Sequence, residues 1–295
     1  MPLHGNHAQV IASSTKARPV WEGISPRWIC KLIPRVIVGA GLYRINQVTT
    51  PTEIIAEHPE DTKLPDAFAD YEANPSEVTL SAIQTVVAMQ TRIQDIFSSP
   101  HDQLKEQIRL AAESLKEERE RRMITSASCG LLALAVEKMR LQASGGRPTP
   151  DDLDNLLSLV WKKPSFFLAH PLTIAAFCRE ANAQRLTVEV VHMMGVPFVA
   201  WRGVPLVPSD KVPVGKSGGK HDTSSILLMR VGEQEQGVIT LCQRGIGDQN
   251  TPFNIRFMGI DQHTVARYLL TCYFSIVALS PDALAVLHNV RADRA

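Results

Sequence analysis

The sequence predicts an α+β fold with a mixed sheet, and three observations predict it. Segments with helical spacing come first and short apolar strands broken by Gly and Pro follow, in the order αα β α βββ ββ βα. The opening quarter is a polar arm and a proline-rich excursion, neither of which makes a core of its own. Charge is nearly balanced, 31 basic against 30 acidic residues in 295, with 44% hydrophobic residues. A chain of this length buries a sizeable core in one or two domains. Balanced charge argues against a whole-surface binder of nucleic acid or acidic lipid. Aromatics at 6% argue against base-stacking platforms.

Residues 1–24 are polar and aperiodic and read as a flexible arm. The stretch Ser25-Pro26-Arg27-Trp28 reads as a helix start, with Ser25 as N-cap and Pro26 at the first helical position. Trp28, Ile29, Leu32 and Ile33 then form an apolar stripe, and Pro34 ends the helix. So short a helix is unstable alone, so its stripe must be buried against something. Residues 35–48 suggest an extended strand. The excursion that follows, TTPTEIIAEHPEDTKLPDAFADYEANPSE, has no helical period. Structureless loops this long are uncommon inside compact domains, which suggests ordering by neighbouring chains.

Val78, Leu80, Ile83, Val86, Val87, Ile93, Ile96 and Phe97 predict a helix over residues 77–97. Ser99-Pro100-His101-Asp102 starts another, to about residue 122, with the stripe Leu104, Ile108, Ala111 and Leu115. Its end, KEERERR (116–122), mixes both signs and reads as solvated. After the break ASGGRP (143–148), Thr149-Pro150-Asp151-Asp152 is a capping box for a helix facing Leu153, Leu156, Leu157, Val160 and Trp161 to a core. PSFFLAHP is a short strand ending at His170-Pro171, and a helix runs on through about Ala183. Strands follow at LTVEVV, twice in MGVPFVAWRGVPLVPSD, and at SILLMRV, QGVITLC and NIRFMGI. Residues 262–279 read as a last long helix.

The chemistry-bearing motifs are few. In KVPVGKSGGKH (211–221), GKS resembles the end of a phosphate-binding loop, but Asp210 stands where the first glycine belongs. The context is strand–loop–strand instead of strand–loop–helix. It reads as a flexible, basic loop tip. No HExxH or GxGxxG occurs. His170 reads as a hydrogen-bonded structural histidine, and Asp151 and Asp152 as capping residues. His221 with Asp222 is too small a ligand set for zinc in one chain, though copies could gather in a symmetric ring. Met193-Met194 and Phe166-Phe167 read as core. Cys30, Cys129, Cys178, Cys242 and Cys272 are scattered, with no CxxC pair, and fit reduced, buried thiols. The first twenty residues lack the apolar core of a secretory signal. YLLTCYFSIVAL (268–279) is short of the ~20 residues that span a bilayer. A soluble, cytoplasmic protein without catalysis, metal or cofactor of its own is expected.

His170-Pro171 followed by MGVPFVAWRGVPLVPSDKVP (194–213) resembles the A-domain of tailed-phage major capsid proteins of the HK97 type. PTPDDLDNLLSLVWKKPSFFLAHP (148–171), AWRGVPL (200–206), LLMRVGEQEQGV (227–238), IRFMGID (255–261) and GLYRINQV (41–48) look like family 2 encapsulin shell proteins of the 2A branch. The similarity spans roughly residues 25–290, without the inserted cyclic-nucleotide-binding domain of the 2B branch. The resemblance implies an α+β, HK97 phage-capsid-like fold. Its parts would be an N-terminal arm (1–36), an E-loop (37–76), a P-domain with spine helices (77–142), an A-domain (143–249) and a C-terminal strand and helix (250–295). It also implies a T=1 icosahedron of about 60 identical chains. Such shells enclose a cysteine desulfurase, with pyridoxal phosphate on that cargo only, and are linked with sulfur storage. The arm would pack through Trp28, Ile29, Leu32 and Ile33. Lys216, Lys220 and His221 would line a pore at a symmetry axis, with ASGGRP (143–148) a competing loop. A phage or prophage capsid protein, and a stand-alone binding module using GKSGGK, are the alternatives. A capsid should hold DNA, yet residues 1–24 carry only Lys16 and Arg18 as bases.

Overall fold

The computed structural model describes residues 25–39, 41–46, 74–90, 103–216, 222–243, 253–260 and 265–292. Along the chain, α1 (Trp28–Leu32) leads into β1 (Arg35–Val38) and β2 (Leu42–Ile45). Then β3 (Ser76–Thr79) and β4 (Ser81–Gln90) precede the long α2 (Gln103–Thr125) and the short α3 (Leu131–Leu134). The middle holds β5 (Arg140–Gln142), α4 (Pro150–Leu159), β6 (Phe166–Ala169), α5 (Pro171–Ala183), β7 (Glu189–Met193), β8 (Val196–Trp201) and β9 (Val204–Pro208). The last part is strand except for one 3-10 turn, Pro281–Ala283: β10 (Gly215–Lys216), β11 (Asp222–Met229), β12 (Val238–Gln243), β13 (Phe253–Ile260), β14 (Val265–Ala278) and β15 (Leu284–Arg291).

A five-stranded sheet is built around β14. β4 runs antiparallel along one edge of it, from Val265↔Gln90 to Phe274↔Ser81. Along the other edge β13 pairs from Ile260↔Ala266 to Phe253↔Cys272, and β12 continues from Cys242↔Phe274 to Val238↔Ala278. β1 joins β12 in parallel. The eight-stranded sheet has the order β5-β15-β11-β6-β9-β8-β7, with β10 attached to β11. It mixes parallel pairs (β6 with β9, β15 with β5) and antiparallel ones. The α+β expectation therefore holds.

Each face of the large sheet has its own core. On one face Phe167, Ala169, Trp201, Leu206, Ile226 and Leu228 meet Leu153, Leu156 and Phe177 of α4 and α5. On the other, Phe166, Leu168, Phe198, Val207, Leu227 and Met229 share a core with α1, α2, α3 and one face of the small sheet. α4 starts as expected: Thr149 Oγ1 accepts from Asp152 N–H at 3.1 Å and the Asp152 carboxylate answers Thr149 N–H at 3.1 Å.

Four readings of the sequence are corrected. The segment expected as helix over 77–97 forms β3 and β4 as far as residue 90, and 91–97 lie outside the described residues. Its Ile83, Val86 and Val87 fit helical spacing, but β-branched Val, Ile and Thr pair just as well, and ten residues of register with β14 decide. The helix expected over 262–279 is β14 instead. This strand is paired on both edges and apolar on both faces, so the alternation that marks a strand is erased. The described C-terminal part is thus strand, and among the described residues the longest helix is α2, whose start signal at 99–102 lies outside them. The strand expected over 35–48 is two, β1 and β2, separated at 39–41 where Gly41 takes φ 71°.

The fourth correction concerns the arm. Ser25 is not the N-cap of α1; Arg27 holds that position at φ 51° with no side-chain cap bond. Trp28, Ile29 and Ile33 are buried and Leu32 is half-buried, all within this chain's own body. The short helix at the end of the arm therefore packs on its own chain, while residues 1–24, read as the flexible arm, lie outside the described residues. The excursion over 49–73 lies outside the described residues. Among the described residues, no helix is long and apolar enough to cross a membrane.

Candidate functional site: the arm anchor and the uncovered strands

The run KEERERR, expected as a solvated helix end, is largely an anchor. On α2, Glu113, Glu117 and Glu120 are spaced four and three apart, so they share one face. Arg27 Nη1 reaches Glu113 at 2.5 Å and Glu117 at 3.1 Å. Ser25 donates to Glu117 from N–H at 3.4 Å and from Oγ at 3.2 Å. Ile29 N–H, left open by the helix start, donates to Glu120 Oε1 at 2.9 Å. From the β9–β10 connection, Lys211 Nζ lies 2.6 Å from Glu117 and 3.7 Å from Glu120, and donates to Ser25 Oγ. Trp28 seats edge-on against Phe198 of β8, ring centroids 5.1 Å apart. The arm is thus tied at one point to the long helix and to the large sheet.

Burial sets the electrostatics here. Glu120 is 1% exposed, and burial pushes its carboxyl above the usual range against the pull of Ile29 N–H and Lys211. Burial also pushes Glu113 up, but hydrogen bonds from Lys116 and Arg27 outweigh it and hold it below the usual range. Lys211 loses hydration too, yet Glu117 and Glu120 raise its affinity for the proton. Sequence reasoning missed Glu113, Glu117, Glu120 and Lys211; the acidic stripe on α2 was the signal available.

A second feature is what the chain leaves uncovered. On β13, Ile255, Phe257, Met258 and Ile260 are each more than half exposed, and so is Val86 of β4, on the other side of β14. In the β7–β8 hairpin, Val190 and Met194 are 58% exposed. Met194 was expected in the core beside Met193; only Met193 packs there, half-buried, while Met194 takes φ 53° at the turn. Exposed apolar side chains grouped on one strand, as on β13, mark an interaction site.

On either side of the basic stretch, β10 pairs with β11 at Gly215↔Thr223 and Lys216↔Asp222, and 217–221 lie outside the described residues. Lys220 and His221 lie outside the described residues, and of Lys216 only the backbone is described. The competing loop 143–148 is a neighbour: Thr223 pairs with Arg291, whose N–H donates to Gly146 O at 2.5 Å. The fold brings both candidates to one end of the large sheet. No helix follows the GKS, as a phosphate-binding loop requires. Among the described residues, no group of three metal-binding side chains gathers.

The remaining candidates take structural places. His170 Nδ1 accepts from Leu172 N–H at 3.2 Å and caps α5, and burial lowers its proton affinity. Asp152 is 2% exposed and consumed by Thr149 and Ser144; Asp151 sits exposed in the first turn of α4. Phe166 and Phe167 are buried on opposite faces of the large sheet. Of the thiols, Cys242 and Cys272 are buried as expected, but Cys30, Cys129 and Cys178 are half-buried.

The sequence and fold of this chain match those of known shells. The family model of the SrpI-like type 2A encapsulin shell proteins matches residues 44–294. The chain belongs to that family. A type 2A encapsulin shell protein from Mycolicibacterium paratuberculosis is 46% identical over 292 residues, covering 97% of this chain and 94% of the relative. A chain of the holo-SrpI encapsulin complex from Synechococcus elongatus superposes with a TM-score of 0.83 at 44% identity, covering 100% of this chain and 98% of that one. The encapsulin shell shares its fold with the capsid of a native GTA particle, at a TM-score of 0.60 and 10% identity over 98% of this chain and 100% of that one. The HK97-type expectation for the fold is therefore met, and the relatives are shell proteins.

Proposed function

We propose that copies of this chain close into an icosahedral nanocompartment of about 60 subunits. The compartment encloses a cysteine desulfurase and serves sulfur storage in the bacterial cytoplasm. The chain is not an enzyme and carries no cofactor; the pyridoxal phosphate belongs to the cargo. The observation that supports this best is the full-length likeness, at 44% identity, to a chain of a holo encapsulin complex. The exposed apolar residues of β13 agree with it, since half-exposed side chains of this size gain from contact with a second copy.

Within that reading, the β10–β11 tip brings Lys216, Lys220 and His221 to a symmetry axis as a basic ring favouring anions. The viral-capsid alternative has only the fold in its favour, at 10% identity. The test is co-expression with a pyridoxal-phosphate cysteine desulfurase, then purification and negative-stain microscopy. Hollow particles retaining the desulfurase and its absorbing cofactor are expected. A small oligomer would overturn the shell; empty particles would overturn the cargo.

A further inference from the structure

The arm anchor borders a cavity of about 340 Å³ that the assembly reading leaves unused. Its size falls in the range of small-molecule sites. Four parts of the chain wall it: the arm with Arg27 and Trp28, α2 with Glu120, the start of α5 with Pro171, and the end of β9 with Pro208 and, just beyond it, Asp210. Indole and proline rings make much of the wall apolar, and two carboxylates make part of it acidic.

Glu120 is the unsatisfied member. Its Oε1 accepts from Ile29 N–H at 2.9 Å, but its Oε2 is buried without a hydrogen-bond partner. Lys211 Nζ stops 3.7 Å short of it, held instead by Glu117 at 2.6 Å, Asp210 at 3.2 Å and Ser25 Oγ. Arg27 also borders the cavity, but Glu113 and Glu117 engage its guanidinium. Among the described residues, this ion-pair network sets Glu113, Glu117, Glu120 and Asp210 against Arg27, Lys116 and Lys211, four acids to three bases. The network is one positive charge short, and Glu120, whose oxygen goes unpartnered, faces that shortage from the cavity wall. Burial of a carboxylate without a full set of partners is unfavourable and pushes the Glu120 carboxyl up. A cation in the cavity would hold it ionised.

We propose that this cavity binds a small organic cation, an ammonium group on an alkyl stem. The ammonium carries three donors and no acceptor, which suits Glu120 with Asp210. The stem packs on the rings of Trp28, Pro171 and Pro208. A bare metal ion fits less well, because calcium takes about six to eight oxygen ligands and the ring-lined walls offer none. A ligand seated here touches the arm, α2 and the end of β9 at once, so its binding tightens the anchor.

The experiment titrates n-butylammonium chloride into the full-length protein at constant ionic strength and follows saturation-transfer NMR from the protein to the butyl protons. The references are n-butanol, with the stem but no charge, and tetramethylammonium, with the charge but no N–H donor. n-Butylammonium is expected to bind about tenfold more tightly than either, since each reference lacks the hydrogen bond to a charged partner. Glu120→Gln removes the charge but keeps an oxygen for Ile29 N–H, and is expected to lower the affinity about tenfold. Glu118→Gln makes the same change on a residue of α2 that bonds Arg121 and Arg122, and is expected to leave the affinity unchanged. If Glu120→Gln does not fold, Asp210→Asn takes its place; that side chain is 56% exposed, and several-fold weaker binding is expected. The proposal is overturned if the butyl protons receive no saturation, if n-butanol binds as well as n-butylammonium, or if Glu118→Gln lowers the affinity as much as the cavity variants do.

Discussion

Lys211 is the residue on which the arm anchor depends most. Its side chain is 8% exposed and serves Glu117, Glu120 and Ser25 together. Removing one partner of a buried pair leaves uncompensated charge, at a cost of about 3–5 kcal/mol. Lys211→Met is therefore expected to lower the unfolding free energy by an amount of that order, and adding Glu117→Gln to restore part of it, measured by chemical denaturation. Asp282 acts at the other end of the large sheet, held by Arg230 Nη2 at 2.8 Å and Lys162 Nζ at 2.8 Å. The Arg230 hydrogen bond, against burial and aided by Lys162 and Ser280, keeps its carboxyl well below the ordinary 3.8. A depressed carboxylate contributes stability above its unfolded value, and loses it as pH falls through the folded one. Below about pH 4, wild-type stability should fall more steeply with acid than that of Asp282→Asn, and equal slopes would remove the assignment. Little of this was legible in the residues. Thr149, Asp152 and His170 were readable because capping acts over three positions of chain. The anchor joins residues 25–29, 113–120 and 211, and such pairings exist only once the fold has formed.

Among elements, the legible ones were those whose pattern is local. α4 and α5, the two strands around Arg202-Gly203 and the apolar β11 and β12 stood where spacing, caps and breakers put them. β4 and β14 did not, because each owes its conformation to the other over ten paired positions. A continuous apolar run such as 268–279 suits a buried helix or a doubly paired strand equally. β13 makes the sharper prediction at this scale. It pairs with β14 along one edge only, and Ile255, Phe257, Met258 and Ile260 stay more than half exposed. If neighbouring copies cover them, Phe257→Ser should leave the protomer's own core intact, since Phe257 touches Tyr268 at its surface. The same change should shift the protein from particle to small oligomer in size-exclusion chromatography. An unchanged particle fraction would show that this strand is not a subunit contact. A global loss of secondary structure by circular dichroism would show instead that it belongs to the core.

At the scale of the whole molecule, the fold ties the arm to the long helix and the large sheet at the anchor, and brings the β10–β11 pairing beside the loop 143–148. Family membership was legible because it rests on long ungapped segments, whereas what covers β13 is not written in a single chain. The pore reading follows from the loops. Lys216 pairs with Asp222 through the backbone, so a substitution there changes side-chain charge without removing a backbone group from the β10–β11 pairing. In a closed shell, each charge on a tip near a rotation axis is repeated around it, and a ring of like charge focuses the field at the opening. A basic ring speeds anions and slows cations; an acidic one does the reverse. Assembled shells of Lys216→Glu/Lys220→Glu should therefore admit a small anionic probe more slowly than wild type, and a cationic probe of equal size faster. Rising salt should erase the difference as the screening length falls to about 3 Å near 1 M. Arg147→Glu, in the adjacent loop with its side chain 70% exposed, reports whether that loop shares the opening. Entry rates that ignore charge at both loops would place the opening at another part of the shell.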